Sequence, residues 1–231
     1  MFDPNRVQQP GYPIQPAEPA AIETGRWSLL DAVLGWLALS LLITAAGVFV
    51  FMTTGLYLPW FLSLVLLIGL IFGIQWAVRR NPSLAVGLFA TFAFVEGLFL
   101  GPVITIYLRV APDAVANAVI GTAGIFVFAA AVVWVSNRSF AAWGKWLMIA
   151  LFVMILALVA AIFFPAVGAF QLLIDAVLGI IFVGLTIFDF WRVKAARPGD
   201  NNALLIAMSL YLDFINIFLI LLRIFGGGRR N

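Results

Sequence analysis

"SLYLDFINIFLILLRIF", Ser209–Phe225, decides how the chain is read. It is apolar almost throughout, yet Asp213 sits inside it with no basic residue within nine positions. A carboxylate in hydrocarbon is costly. Chains keep one there when it faces the bundle interior and is paired, or when it serves a purpose. The next carboxylate upstream within an apolar stretch is Asp189, in "FDFWRVKAARPGDNN" (188–202). The turn "PGDNN" separates the two, and an antiparallel helical hairpin centred near Asn201 levels Asp189 with Asp213, twelve residues on either side. At a rise of about 1.5 Å per residue, each lies within about 18 Å of the turn. Ser209, Asp213 and Asn216 follow i, i+4, i+7 spacing and share a stripe. Thr186 precedes Asp189 by one turn, so two polar stripes are expected to face each other.

Composition sets the solvent. Of 231 residues, 65% are hydrophobic and 10% charged, and the mean hydropathy is +1.14. A soluble domain carries about a quarter charged residues, so the bilayer is the expected surroundings. There is no cysteine and no histidine. This excludes disulfides, thiolate chemistry, and histidine-based catalysis, metal binding and pH sensing. The net charge of +3 comes from Lys and Arg flanking apolar segments, which argues for a membrane and against nucleic acid as partner.

Apolar stretches occur at about 30–52, 58–78, 83–108, 115–135, 146–164, 169–190 and 203–223. Each is near the roughly 20 residues of a spanning helix, and turn residues or charges separate them. The fold class expected is all-α integral membrane. Residues 1–26, rich in Pro, Gln and Ala, read as a disordered cytoplasmic tail; 27–225 form the seven-helix domain; 226–231 form a basic C-terminal tail. The N-tail side holds nine Lys and Arg and the opposite side four, which places the N-terminus in the cytoplasm. Seven crossings then put "GGGRRN" outside; a re-entrant segment would instead bring both ends inside. Gly69/Gly73 and Gly97/Gly101 have GxxxG spacing and are expected to pack helices two and three, with Pro102 kinking the third.

Three ionisable residues lie well inside apolar segments: Glu96, Asp189 and Asp213. Asp31 and Asp175 lie near segment ends, where an interfacial or helix N-terminal role is expected. Two adjacent carboxylates in a low dielectric titrate as a unit. They can share a proton, or bind a cation such as Ca²⁺, which hard oxygen ligands suit. Arg79 and Arg80 end helix two on the same side, and either could pair with an aspartate.

These residues carry a resemblance. "SLYLDFINIFLILLR", "FDFWRVKAARPGDNN", "FAFVEGLFLGPVITIY" (92–107) and "GTAGIFVFAAAVVW" (121–134), in order, resemble the Bax inhibitor family of membrane proteins, and its bacterial members most. The likeness covers Trp27 to Gly228. It implies six helices packed around a central C-terminal helix, and a pH-sensitive Ca²⁺ leak across a bacterial inner membrane. The family's paired aspartates fall on Asp189 and Asp213, and its basic latch residue on Arg79. Some bacterial relatives carry an acidic residue in helix two, where this chain reads "LVLLIGLIFG" (64–73). Glu96 in helix three is the nearest substitute, with Asn216 and Ser209 as further ion-binding candidates.

The expected function is a proton-gated calcium leak with no cofactor; the alternative is a non-transporting regulator that binds a membrane protease or stress-response partner. Intramembrane aspartyl proteases also place aspartates on consecutive helices. Their second aspartate follows small residues, whereas here it reads "LYLD" and no Pro-Ala-Leu motif follows, so no enzyme is expected.

Overall fold

A computed structural model describes residues 20–136, 138–163, 170–196 and 203–227. Within them lie seven helices: α1 (Ala20–Thr54), α2 (Trp60–Ala77), α3 (Pro82–Val110), α4 (Pro112–Val135), α5 (Ala141–Phe163), α6 (Gln171–Ala195) and α7 (Ala203–Gly227). All seven are long and apolar enough to cross a membrane, and the chain is an all-α, multi-pass membrane protein. Helix α1 begins at Ala20, ahead of the expected boundary at residue 27, and α7 runs through Gly227 into the expected C-terminal tail. The remainder of both tails, and the "PGDNN" turn, lie outside the described residues.

Local chemistry places the ends. After α1, Gly55 takes φ 69° and its N–H donates to the Phe51 carbonyl, a left-handed cap that glycine adopts without a Cβ penalty. At the start of α3, Asn81 Oδ1 accepts from Leu84 N at 3.1 Å, and Pro82 follows where its missing N–H costs nothing. Helix α3 runs on through Pro102 to Val110.

Helix α7 is the most buried span, 56% of its core window, against 6% for α5. It packs on α1, α4 and α6 and touches α3. Helices α2 and α5 complete the ring from outside, α2 resting on α3 and α5 on α6. Lipid is as apolar as leucine, so close packing, not hydrophobicity, holds such helices together. Accordingly Leu42, Phe72, Val127 and Ile180 face outward, and glycines mark the tight crossings. A Cβ on Gly97 would collide with the Thr44 carbonyl, and one on Gly47 with the Phe94 carbonyl. The Gly97/Gly101 pair thus packs α3 against α1 rather than α2, with Gly101 facing the Phe51 ring. Gly69 meets nothing and Gly73 only the Leu88 side chain, so the expected α2–α3 glycine seam is replaced by an α1–α3 seam. Gly144 and Gly184 seat Phe188 and Leu147 respectively, attaching α5 to α6.

Candidate functional site: a carboxylate pair between α6 and α7

Asp189 and Asp213 are both buried. Asp213 Oδ2 is 3.3 Å from the Thr186 hydroxyl, whose single hydrogen is shared with the Phe182 carbonyl at 2.8 Å. Asp189 Oδ1 accepts from Arg192 Nη1 at 2.8 Å, one turn along the same helix. Asp189 Oδ2 has no hydrogen-bond partner among the described residues. The two polar stripes do face each other.

Their register differs from the expected one. Helix α6 ends at Ala195 and α7 starts at Ala203, so the hairpin centres on position 199. That levels Asp189 with Ser209 and brings Asp213 within one residue of the level of Thr186; the aspartates are offset by four residues, about one turn or roughly 6 Å along the axis. The same centre levels Asp175 with Arg223, 24 residues to either side, and these two form an ion pair. Arg223 Nη2 is 2.6 Å from Asp175 Oδ1 and Nε is 3.1 Å from the same oxygen, while Gln171 Nε2 adds a bond at 3.2 Å. Asp175, the fifth residue of α6, lies near the segment end as expected, and is buried and ion-paired there. Equal-arm counting about residue 199 would have found this pair; counting about Asn201 hides it.

Arg79 lies exposed in the turn after α2, and α2 packs on neither α6 nor α7. Among the described residues Arg79 meets neither aspartate, and Asp189 is ion-paired instead with Arg192 of its own helix. The sequence signal was available, since i, i+3 pairs of opposite charge meet on a helix. Lys194 does more than flank its apolar segment. Its Nζ donates to the Val133 and Ser136 carbonyls at 2.7 and 2.9 Å, capping the end of α4 and tying it to α6.

Glu96 belongs to a different cluster. It is half-buried and makes no hydrogen bond or ion pair among the described residues. It lies three residues past Ala93, whose carbonyl joins the hydrogen-bond network of Tyr211 on α7, a residue two positions from Asp213 and thus about 200° around that helix. Tyr211 Oη lies 2.7 Å from Thr44 Oγ1, which is in turn 2.9 Å from the Ser40 carbonyl and 3.1 Å from that of Ala93. Carbonyls only accept, so Thr44 donates to them and Tyr211 donates to Thr44. Asn216 Nδ2 donates to the Leu212 carbonyl of its own helix at 2.7 Å. The candidates thus divide between two flanks of α7.

Two carboxylates and two hydroxyls offer six oxygens at most, one of them already held by Arg192, so water would have to complete the six to eight that enclose Ca²⁺. Among the described residues no three acidic side chains gather to hold a metal. The expectation of Asp189 and Asp213 as a calcium site is therefore narrowed: on their own they do not make a closed calcium cage.

A family profile described as "Inhibitor of apoptosis-promoting Bax1" matches residues 26–231. The chain belongs to the Bax inhibitor family. It is 31% identical over 196 residues to the human protein "Bax inhibitor 1", covering 82% of this chain and 81% of that one. It is 30% identical over 196 residues to the "Modulator of FtsH protease YccA" of Escherichia coli K12, covering 84% and 88%. The "Inner membrane protein YccA" of E. coli O6:H1 matches with the same identity and coverage.

Proposed function

We propose that this Bax inhibitor family protein is a pH-sensitive leak for Ca²⁺, with Asp189 and Asp213 as its proton sensor. The observation that carries the reading is the buried α6–α7 carboxylate pair, with one guanidinium between the pair and water and one carboxylate oxygen left unpartnered. With both carboxylates ionised, the pair and Arg192 carry one net negative charge in a dry interior. A proton or a passing cation removes it. A protonated Asp213 reverses its bond to Thr186, the carboxyl O–H donating to the hydroxyl oxygen. A protonated Asp189 releases Arg192, and the cytoplasmic ends of α6 and α7 part. A partly hydrated Ca²⁺ passes as cargo, with Ser209 and Thr186 as added oxygen ligands. Glu96, on the other flank of α7, supplies a third carboxylate at similar depth.

Calcium uptake into proteoliposomes is expected to rise as pH is lowered from alkaline to mildly acidic. Asp213→Asn and Asp189→Asn are each expected to flatten that profile. A profile unchanged in both variants removes the sensor.

A second reading, modulation of a membrane-bound protease, is supported by the YccA relative. It predicts that deleting residues 1–19 abolishes an effect on the protease while leaving ion flux intact.

A further inference from the structure

The end of the α6–α7 hairpin remote from the aspartate pair carries a groove of about 320 Å³, walled by Ile125, Gly179, Val183, Ile217 and Ile220 of α4, α6 and α7. Asp175 stands at its head. From Asp175 to Val183 is eight residues, about 12 Å along α6. That is most of one leaflet's hydrocarbon depth, half of a roughly 30 Å core. Gly179 keeps the floor open: a Cβ built there would meet only Ile220 Cγ2, at 3.8 Å. Walls of this chemistry offer water no hydrogen-bond partners, so the fitting occupant in a bilayer is hydrocarbon.

The head of the groove adds charge. Arg223 engages Asp175 through Nε and Nη2. Its Nη1 makes no bond among the described residues, and the side chain is 41% exposed. A guanidinium bound along one edge presents its other edge outward, in the planar geometry that phosphate oxygens accept. Arg223 lies four residues, about 6 Å, before the last residue of α7, near headgroup level.

We propose that this groove is a phospholipid site: one acyl chain lies between α4, α6 and α7, and an anionic phosphate takes the free edge of Arg223. The floor residues Val183 and Ile217 sit three residues before Thr186 and four after Asp213. The lipid chain therefore braces the same seam that carries the aspartates. The site stands whether or not the pair senses protons.

Native mass spectrometry of the full chain, released from bilayers of equal phosphatidylglycerol and digalactosyldiacylglycerol, a bilayer lipid with no phosphate, tests it without reading ion flux. The wild type is expected to retain one phosphatidylglycerol with about tenfold preference, the worth of one charge-assisted hydrogen bond. Gly179→Leu, which fills the floor, and Ile180→Trp, which covers the groove from its exposed rim, are expected to retain neither lipid. Gly179→Ala, for which there is room, retains it and controls for folding. Asp175→Asn with Arg223→Gln keeps polar contacts without charge and is expected to retain lipid but lose the preference. Equal retention of the two lipids by the wild type overturns the role of Arg223. Undiminished retention in both Gly179→Leu and Ile180→Trp overturns the groove.

Discussion

Tyr211 is fully buried among Phe89 and Phe92, whose rings meet it edge-on at 6.0 and 5.9 Å. Its hydroxyl, directed to Thr44, makes the two partners unequal. Tyr211→Phe removes a donor but leaves Thr44 donating to carbonyls, so the expected loss is about 1 kcal/mol. Thr44→Val strands the tyrosine hydroxyl in a dry interior, and the loss is expected in the upper part of roughly 1–3 kcal/mol. Unfolding by SDS titration in mixed micelles measures both. Equal losses would mean that the hydroxyl has another acceptor. The same unevenness operates at Asp189, where one oxygen is held by Arg192 and the other is left free. A satisfied carboxylate pair would be an ordinary structural feature, whereas the unsatisfied oxygen is what leaves room for a proton or an ion.

At the level of helices, the α1–α3 crossing depends on two glycines that let backbone touch backbone. Gly97→Ala already drives a Cβ into the Thr44 carbonyl and the Gly47 Cα, and rigid backbone cannot swing aside. Separating α1 from α3 also pulls Thr44 from Tyr211. The expected cost is about 3 kcal/mol, the upper part of the overpacking range, with visible loss of folded yield. Gly69→Ala and Gly87→Ala meet open space and are expected to be neutral or slightly stabilising, since alanine is the better helix former. Thermal unfolding in detergent followed by size exclusion separates the cases. A tolerant Gly97 would show that the crossing can slide. Helix α5 is the contrast, anchored among the described residues along α6 by the reciprocal fit of Gly144 with Phe188 and Gly184 with Leu147.

For the molecule as a whole, charge predicts the side of each loop. Arg79, Arg80, Arg138, Lys145, Arg192 and Lys194 fall at one end of the bundle, and Arg109 and Arg223 at the other. The chain has no cysteine, so single introduced cysteines give background-free labelling. Ser139→Cys is expected to react with an impermeant maleimide only after the cell is opened, and Thr54→Cys in intact cells. The reverse pattern would invert the topology. The ion pairs follow the same axis: Asp189–Arg192 guards one end of the α6–α7 seam and Asp175–Arg223 the other.

Much of this was readable without coordinates. A chain so poor in charge can only be at home in lipid, and seven apolar runs of spanning length are a local property of composition. Likewise Asp213 announces itself, because nothing near it in the chain can pay for its charge. What hydropathy does not encode is which helix lies beside which, since lipid and protein interior are equally apolar to a leucine side chain. Hence Gly97 turned to α1 and not α2, and Asp189 is ion-paired with Arg192 and not Arg79. Register was hidden for a related reason. A polar turn can lend residues to either helix, and moving its centre from 201 to 199 slides one helix past the other by about a turn. That slide separates Asp189 from Asp213, gives each a hydroxyl for company, and brings Asp175 level with Arg223. Only packed helices with defined ends could settle it.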